Sequence, residues 1–236
     1  MTSRLTAVIT GASRGIGAAL AHRFVSEGVQ VALIARTPAP LGALVSSLGP
    51  AARAYPCDLT DATAVSDVAR RIAGDFGGAP DLLVSNAGLF LIEPVDVMSP
   101  ADFSAVVQAN LVAPFLLARA LLPAMRARGS GTIVTLGSIA DRAVFPENAA
   151  YAASKHGLRA LHEVMRMELR GSGVRATLVS PGAVDTSLWD AVNPDEREGF
   201  TPRASMLRAA DVADAIWFAV SRPVNVNIDE LRLSRS

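Results

Sequence analysis

The chain has 236 residues, half of them hydrophobic (50%), so it is long enough to bury a substantial core. Its formal net charge is zero and it contains no basic run, which leaves no electrostatic footprint for nucleic-acid binding. A single cysteine, Cys57, excludes an internal disulfide framework, and the three histidines show no metal-ligand spacing, so we expect no metal site.

Short strand-like segments alternate with helical patterns along the whole chain. The patterns predict strands at residues 5–10, 29–35, 53–55, 81–85, 131–137, 174–179 and 226–233, and helices at 15–27, 41–48, 62–76, 100–128, 149–171 and 210–220. Several strands are almost continuously apolar, which is typical of parallel strands covered on both faces. The alternation favours an α/β fold, doubly wound, with a mainly parallel sheet of about seven strands and helices on both faces.

A single domain is expected over residues 1–236, because no linker or change of composition divides the chain. The exception to the regular alternation is residues 181–208, which hold several prolines and a polar stretch at 193–198. A segment of this kind is predicted to be a loop with short helices that covers a substrate as a lid.

The longest apolar stretch, residues 105–125, could be mistaken for a membrane span. It contains Gln108, Asn110 and Arg119, and such groups are costly at the centre of a bilayer. The stretch is therefore interpreted as a buried or subunit-facing helix. Since no signal peptide is visible either, the sequence predicts a cytoplasmic protein without a membrane partner.

A glycine-rich turn follows the first predicted strand and opens the first predicted helix. Residues 10–17 read TGASRGIG, which is a Gly-x-x-x-Gly-x-Gly spacing. Small residues let a pyrophosphate approach the backbone, and the helix N-terminus supplies donors and a positive dipole. No Gly-Lys-Ser/Thr occurs, so the turn is not a nucleotide-triphosphate loop. A plain tight turn is the alternative at this point.

The chain contains one lysine, Lys155, and it follows one of the two tyrosines, Tyr151, by four residues. Side chains at i and i+4 share one face of a helix. A unit charge at about 4 Å, with an effective dielectric constant of about 20, is worth roughly 4 kcal/mol and would lower a tyrosine pKa from about 10 to about 7. The pair therefore predicts a general acid/base, and an incidental surface pair is the alternative.

These segments together resemble the short-chain dehydrogenase/reductase family, in its NADP-preferring, single-domain reductase form. The motifs that carry the resemblance occur in the family's order and spacing over nearly the whole chain: residues 10–17, Asn86-Ala87-Gly88, Ser138, Tyr151-x-x-x-Lys155 and Pro181-Gly182. The resemblance implies a Rossmann fold and an NADP(H)-dependent oxidoreductase that interconverts a ketone or aldehyde and an alcohol by hydride transfer. It also implies a homodimer or homotetramer.

The same resemblance implies the catalytic roles. Tyr151 gives a proton to the substrate oxygen or accepts it in the reverse reaction, and Lys155 binds the nicotinamide ribose and holds Tyr151 acidic. Ser138 hydrogen-bonds the carbonyl oxygen. Asn110 matches the helix Asn that supports a water relay behind the lysine, and a buried, fully bonded amide is its alternative.

The segment after the second strand bears on the choice of cofactor. An acid there binds the adenosine ribose in NAD enzymes, whereas Arg accommodates a 2′-phosphate. Here Arg36 follows the strand with no acid near, and Arg14 lies in the glycine-rich turn, so NADP(H) is favoured over NAD(H). Ordinary surface arginines are the alternative. By resemblance, the cofactor-binding residues are Gly11, Ser13, Arg14, Gly15, Ile16, Gly17, Arg36, Asp58, Leu59, Asn86, Ala87, Gly88, Tyr151, Lys155, Pro181, Gly182, Val184 and Thr186.

The predicted substrate walls are largely apolar and include no Arg or Lys that must face the substrate, which favours a small neutral ketone, aldehyde or alcohol. The residues in question are Phe90, Ser138, Ala143, Val144, Phe145, Asn148, Leu188 and Trp189. Two other functions are weighed against a reductase. An NADP-sensing regulatory protein without significant turnover would have no need of a proton donor. A serine hydrolase using Ser138 would lack the Gly-x-Ser-x-Gly elbow.

Overall fold

The computed structural model describes residues 4–236. Its strands are β1 (Thr6–Thr10), β2 (Gln30–Ala35), β3 (Ala52–Pro56), β4 (Leu82–Ser85), β5 (Gly131–Leu136), β6 (Val174–Pro181), β7 (Val184–Asp185), β8 (Leu207–Arg208) and β9 (Glu230–Leu233). Its helices are α1 (Gly15–Ser26), α2 (Pro38–Leu48), α3 (Ala62–Phe76), α4 (Pro100–Val107), α5 (Ala113–Arg128), α6 (Ala149–Glu168) and α7 (Ala209–Val220).

Within residues 4–236, seven strands form one parallel sheet in the order β3-β2-β1-β4-β5-β6-β9. The predicted doubly wound α/β fold is confirmed. Strand order reverses between β1 and its two neighbours, since β1 pairs with β2 on one side and with β4 on the other. In open sheets of this kind, ligands bind outside the carboxyl ends of the strands at such a reversal.

The apolar character of the strands follows from burial on both faces of the sheet. In β1, Ala7 and Ile9 belong to one core cluster, while Val8 points to the other face and belongs to a second cluster. Helices α1, α2 and α7 cover the first face and supply Phe24, Leu41 and Ile216, all fully buried. Helices α3 and α5 cover the second face and supply the buried side chains of Ile72, Leu117, Leu121 and Met125.

The predicted helix over residues 100–128 contains a break in its regular bonding. A π-helical segment, Gln108–Val112, separates α4 from α5. Pro114 explains part of this change, because it has no N–H to donate to the carbonyl of Asn110 four residues earlier. Such π segments frequently occur at functional sites.

The stretch Pro100–Arg128 is long and apolar enough to cross a membrane, and 28% of its most apolar window is buried in the protein. The inner face of this stretch packs into the core through Val106, Leu117 and Met125. Its outer face leaves Phe103 and Phe115 exposed. The stretch is therefore a core helix with a second, apolar face directed outward.

The predicted lid, residues 181–208, is partly ordered by backbone pairing. Strands β7 and β8 lie within it and pair with each other in parallel. Three short 3-10 turns, Ser187–Trp189, Pro194–Glu196 and Arg203–Ser205, account for much of the remainder.

The last strand is shorter than the predicted 226–233 and begins at Glu230. The Arg175 guanidinium explains the difference, because it takes up the carbonyl groups of the segment before the strand. It donates to the carbonyl oxygens of Val220 (3.1 Å), Arg222 (3.1 Å) and Val226 (2.8 Å). These carbonyls are bound by a side chain and not by a sheet ladder, so the segment forms a loop that Arg175 holds in place.

We expect an Arg175→Met variant to unfold more easily than the wild type, by roughly 3 kcal/mol, because several carbonyl groups lose a charged donor. Arg170→Met is the matched control, since Arg170 is exposed near the end of α6. Urea denaturation followed by circular dichroism measures both free energies of unfolding. Equal stabilities for the two variants would mean that water replaces the guanidinium without cost.

Candidate active site

A cleft of about 1180 Å³ opens at the carboxyl ends of the central strands, across the point where strand order reverses. The glycine-rich turn after β1 lines one end of the cleft. The turn after β5, the start of α6 and the lid segment line the other end. The cleft therefore has a backbone-lined half and a half lined by side chains.

The glycine-rich turn packs closely on itself and leaves the start of α1 open to the cleft. A side chain at Gly17 could not be accommodated, because a Cβ there would lie 2.3 Å from the carbonyl oxygen of Gly11. Gly11 itself has a φ of +62°, in the left-handed region. The first turn of α1 carries no acidic residue. Its positive dipole is therefore available to an anion such as a phosphate.

Asn86 holds this turn from below. Its Nδ2 donates to the carbonyl oxygens of Thr10 (2.8 Å) and Gly11 (3.3 Å). In return, the Thr10 hydroxyl oxygen accepts hydrogen bonds from the backbone N–H groups of Asn86 and Ala87, both at 2.9 Å. The end of β4 and the glycine-rich turn are thus locked together, which fixes the backbone of the cleft.

Charged side chains lie at the outer rim of this half. Arg14 and Arg36 are both exposed and both line the cleft. The Asp58 carboxylate accepts hydrogen bonds from the backbone N–H of Thr60 (2.9 Å) and from its hydroxyl (2.8 Å). These bonds, with the nearby Arg36 charge, lower the pKa of Asp58, so this group is an ionised acceptor at the rim.

Ser138, Tyr151 and Lys155 meet at the inner end of the cleft. Ser138 follows β5 and caps the short turn Ile139–Asp141, with its hydroxyl oxygen accepting from the backbone N–H of Ala140 (3.2 Å). Tyr151 lies in the first turn of α6 and Lys155 in the next. The Lys155 Nζ donates to the carbonyl oxygen of Leu136 (2.8 Å) and lies 5.6 Å from the centre of the Tyr151 ring.

The proton affinities of these groups differ from the sequence expectation. Burial raises the pKa of Tyr151, the adjacent Ser138 hydroxyl opposes this, and the Asp141 carboxylate adds to it. The predicted fall of the Tyr151 pKa to about 7 is therefore wrong for this structure. Burial also lowers the pKa of Lys155, to about 8. The estimate from the i, i+4 spacing assumed that Tyr151 and Lys155 are exposed to water. In the structure both are buried, and this burial shifts their pKa values more than their interaction with each other does.

Asn110 lies in the π-helical segment and is fully buried. Its Oδ1 accepts from the backbone N–H of Leu89 (2.7 Å), and its Nδ2 donates to the Leu89 carbonyl oxygen (2.9 Å) and to Ser154 Oγ (3.0 Å). Asn110 lies outside the lining of the cleft. Its amide braces the loop after β4 against α6, and its part in a water relay stays a prediction.

The substrate end of the cleft has an aromatic wall. The Phe90 ring contacts the catalytic candidate Tyr151 edge-on at 4.8 Å between ring centres, and it contacts Trp189 at 5.0 Å. Trp189 in turn contacts Phe200 at 6.3 Å and donates from Nε1 to the Val184 carbonyl oxygen (3.1 Å). The predicted apolar wall therefore extends from Tyr151 into the lid.

Two of the predicted wall residues do not contribute to it. Val144 is 76% exposed and, like Ala143, lies outside the cleft. The chain runs over the surface after the turn Ile139–Asp141 and returns to the cleft at Phe145, so Phe145 and Asn148 line it. Spacing in the sequence could not show where this short segment turns outward.

The sequence reasoning missed an ion pair between the segment before α6 and the predicted lid. Glu147 and Arg197 both line the cleft and bond to each other across 50 positions of sequence. The Arg197 guanidinium also stacks on the Phe200 ring at 4.9 Å. The prediction that no arginine must face the substrate needs correction to this extent, although Glu147 neutralises the charge. The polar stretch at 193–198 was the available signal, but it did not identify a partner.

Comparison with known proteins identifies the family. A sequence model described as short chain dehydrogenase matches residues 5–197. The chain belongs to the short-chain dehydrogenase family. The family predicted from the sequence motifs is thereby confirmed.

Relatives of this short-chain dehydrogenase cover it almost completely. An uncharacterized oxidoreductase of Staphylococcus epidermidis is 29% identical over 227 residues, which are 96% of this chain and 95% of the relative. A metagenomic short-chain oxidoreductase solved in complex with NADP is 34% identical, with a TM-score of 0.85 and coverage of 98% and 97% of the two chains. An alcohol dehydrogenase from the archaeon Thermococcus sibiricus, complexed with 5-hydroxy-NADP, is 27% identical, with a TM-score of 0.86 and coverage of 98% and 96%.

The residues of this short-chain dehydrogenase fit a phosphate-bearing dinucleotide. The cleft joins an open helix N-terminus, exposed arginines and a buried lysine, and its size suits an extended ligand. The predicted cofactor residues line it, with the exception of Gly17, which packs beneath the turn. Ser138, Tyr151 and Lys155 line its inner end.

Burial of the Lys155 charge predicts a pH-dependent cost to the stability of this short-chain dehydrogenase. Its pKa falls from 10.5 to about 8 on folding, so the unfolded chain binds the proton more tightly. The cost is fully present below pH 8 and disappears as the pH rises to 10.5. We expect Lys155→Met to be more stable than the wild type at pH 7 by about 3 kcal/mol, and the gap to close over this range.

Urea denaturation of both proteins between pH 7 and pH 10.5 measures this gap. A Tyr151→Phe background removes the phenol titration from the comparison. A Lys155→Met variant that is less stable at every pH would show that the hydrogen bond to Leu136 outweighs the burial of the charge.

Proposed function

We propose that this protein is an NADP(H)-dependent oxidoreductase that interconverts a neutral ketone or aldehyde and an alcohol. One observation carries the proposal: Ser138, Tyr151 and Lys155 meet at one end of a cleft whose other end is an open helix N-terminus flanked by Arg14 and Arg36. A proton donor at one end of the cleft and an anion site at its other end suit hydride transfer from a dinucleotide. The NADP and 5-hydroxy-NADP bound to the two solved relatives support the choice of cofactor.

The bound cofactor supplies the hydride, and the protein supplies positioning and a proton. The Ser138 hydroxyl oxygen accepts from the Ala140 N–H and the hydroxyl lies beside Tyr151, where its proton can turn to bond the substrate carbonyl oxygen. Tyr151 delivers the proton to the same oxygen. Its raised pKa keeps the phenol protonated at neutral pH, which is the form that reduction requires.

Lys155 acts on the other protonation state of Tyr151, the phenolate. Its ammonium stabilises the phenolate that forms when Tyr151 gives up its proton, and it binds the nicotinamide ribose. A pKa of about 8 leaves Lys155 mostly charged at neutral pH. Oxidation of the alcohol needs the phenolate of Tyr151 as base, so that direction is favoured by higher pH.

The proposed preference for NADP(H) rests on two arginines at the outer rim of the cleft. Arg14 and Arg36 form a pair of planar donors suited to bidentate contact with a 2′-phosphate. The segment after β2 offers no acid for a ribose hydroxyl, since Arg36 and Thr37 follow the strand. Asp58, held ionised by Thr60, is placed to accept from the adenine amino group.

The proposed substrate is neutral because the aromatic wall beyond Tyr151 offers it no unpaired cation, and Lys155 is assigned to the ribose of the cofactor. The wall formed by Phe90, Trp189 and Phe200 is apolar, and Glu147 compensates the charge of Arg197. A carboxylate or phosphate on the substrate would lose its water without gaining an uncompensated cation. The proposed partner is therefore a small neutral carbonyl compound or alcohol.

We further propose a homodimer or homotetramer in the cytoplasm. Phe115 on α5 is 45% exposed, and Val164 and Met167 on α6 are 54% and 60% exposed. Exposed apolar side chains on these two helices support an association site on a protein without a membrane partner. The faces of α5 and α6 are the proposed interface between copies.

We expect Tyr151→Phe to reduce kcat for carbonyl reduction about 1000-fold, because a general acid contributes roughly 100- to 10,000-fold. The Kd for NADPH, measured by fluorescence titration, is expected to stay within about threefold, since the substitution removes only a hydroxyl. Tyr55→Phe is the matched control, because Tyr55 bonds Asp75 away from the cleft. Initial rates of NADPH oxidation with a panel of ketones and aldehydes give kcat.

Binding of NADPH by the wild type without turnover of any carbonyl compound would favour the sensor alternative. The Tyr151→Phe variant would then be indistinguishable from the wild type in its biological effect. Ester cleavage without nucleotide would instead favour the hydrolase.

Replacement of Arg14 or Arg36 by Ala is expected to raise the KM for NADPH about 10- to 100-fold, the effect of one lost charged hydrogen-bond donor. The KM for NADH should change less than about threefold, since NADH lacks the phosphate that these donors bind. Arg70→Ala, on the exposed side of α3, is the control. Equal losses with both cofactors would show that the arginines do not read the phosphate.

A further inference from the structure

A carboxylate that the proposed chemistry does not use lies directly behind the active site. Asp141 follows Ser138 by three residues, and its side chain is 0% exposed. Burial of an ionised carboxylate is costly unless hydrogen bonds and opposite charges compensate it. A short carboxylate at this depth therefore requires an account of what it contacts.

Both oxygens of Asp141 are engaged. Its Oδ2 accepts from the Ser180 hydroxyl (2.5 Å) and is approached by the backbone N–H of Ser138 (3.4 Å). Its Oδ1 accepts from Arg142 Nε (2.7 Å), and Arg159 Nη1 lies 3.8 Å away. The charge is thus balanced by two guanidinium groups that are themselves partly exposed.

These partners belong to elements on different sides of the catalytic groups. Ser138 follows β5, Ser180 stands near the end of β6, and Arg159 lies on α6 one turn beyond Lys155. Glu230, on the edge strand β9, extends the cluster, with Arg142 Nη1 at 2.6 Å and Arg159 Nη2 at 3.9 Å. The Asp141 carboxylate therefore joins the ends of β5 and β6 to the helix that carries Tyr151, and the two arginines extend the cluster to the start of β9.

The site is shaped for a short side chain. A Cβ at Gly137 would lie 2.5 Å from Asp141 Oδ2 and 2.8 Å from Ser180 Oγ. The backbone of β5 thus approaches the carboxylate as closely as a glycine allows. The longer side chain of glutamate would keep the charge but would not fit the same contacts.

We propose that Asp141 is a positioning residue whose carboxylate fixes the Ser138 turn against β6 and places a permanent negative charge behind Tyr151 and Lys155. The inference rests on the proposed function, since it assigns Asp141 to the proton-transfer groups of that reaction. Asp141 does not contact the substrate. It acts through the backbone of Ser138 and through its field.

The directions of the pKa shifts of Tyr151 and Lys155 agree with this role. Asp141 raises the pKa of Tyr151 and also raises that of Lys155, against the effect of burial. The charge therefore favours the protonated phenol and the charged ammonium. The charged groups facing the carboxylate are Arg142, Arg159 and Lys155, with Glu230 beyond the two arginines.

The first test is a spectrophotometric titration that needs no turnover. Ionisation of Tyr151 is obtained as the difference in phenolate absorbance between each protein and its Tyr151→Phe counterpart, which removes the signal of Tyr55. Asp141→Asn keeps the shape of the side chain and removes the charge, so Tyr151 is expected to ionise about one pH unit lower than in the wild type. Asp67→Asn, on the exposed face of α3, should leave the ionisation unchanged.

The second test separates charge from fit by kinetics. With Asp141→Asn, the pH above which carbonyl reduction is lost should fall by the same amount, and kcat should fall about tenfold or more while the KM for NADPH stays unchanged. Asp141→Glu should lower kcat without moving the pH profile. Ser180→Ala keeps the charge, folds without an unpaired arginine, and should lower kcat several-fold.

An Asp141→Asn variant with wild-type Tyr151 ionisation and wild-type pH profile would overturn the charge role. A Ser180→Ala variant with wild-type kcat would overturn the positioning role, and this variant remains available if Asp141→Asn does not fold. Absence of any carbonyl turnover by the wild type would refute the proposed function alone, because the titration still measures the field of Asp141 at Tyr151.

Discussion

A lysine ammonium kept inside the protein is the constraint on which the candidate site depends. Lys155 has the carbonyl of Leu136 as its hydrogen-bond acceptor and no carboxylate in direct contact among the described residues. Burial therefore lowers its pKa, and a negative charge must stand at some distance if the group is to stay charged. Asp141 is the carboxylate that raises the pKa of Lys155 against burial, and in the proposed function the ammonium acts on Tyr151 and on a bound ribose.

The two ends of the cleft differ in the polar groups that they offer, and the sheet sets the distance between them. The end at α1 offers backbone donors and a helix dipole, which an anion can use without any side chain. The end at α6 offers groups whose charge changes during a reaction. Parallel strands bring both to one edge, because every strand of the sheet ends on the same side. Reversal of the strand order at β1 and β4 then opens the cleft between them.

Much of this arrangement could be predicted from the sequence, because local patterns encode it. Apolar strands, the glycine-rich turn and the spacing from Tyr151 to Lys155 each depend on near neighbours in the chain. The contacts that could not be predicted join distant segments: Glu147 with Arg197, Arg175 with the loop before β9, and Asp141 with Ser180. The pKa of Tyr151 was misjudged for the same reason, since burial is a property of the whole fold. These long-range contacts and the pKa of Tyr151 depend on where each residue lies in the fold and not on its type.

Charged side chains are paired with opposite charges both at the predicted lid and behind the catalytic groups. Glu147 neutralises Arg197 at the substrate wall, while Arg142 and Arg159 neutralise Asp141 behind the catalytic groups. In both places the protein presents shape and dipoles to the cleft while balancing its net charges at close range. The neutral substrate that we propose would meet an apolar surface up to the point where Ser138 and Tyr151 could bond its oxygen. In the proposed function, selectivity for the reacting group comes from these two hydroxyls, because the wall around them is apolar and its Glu147–Arg197 charges are paired.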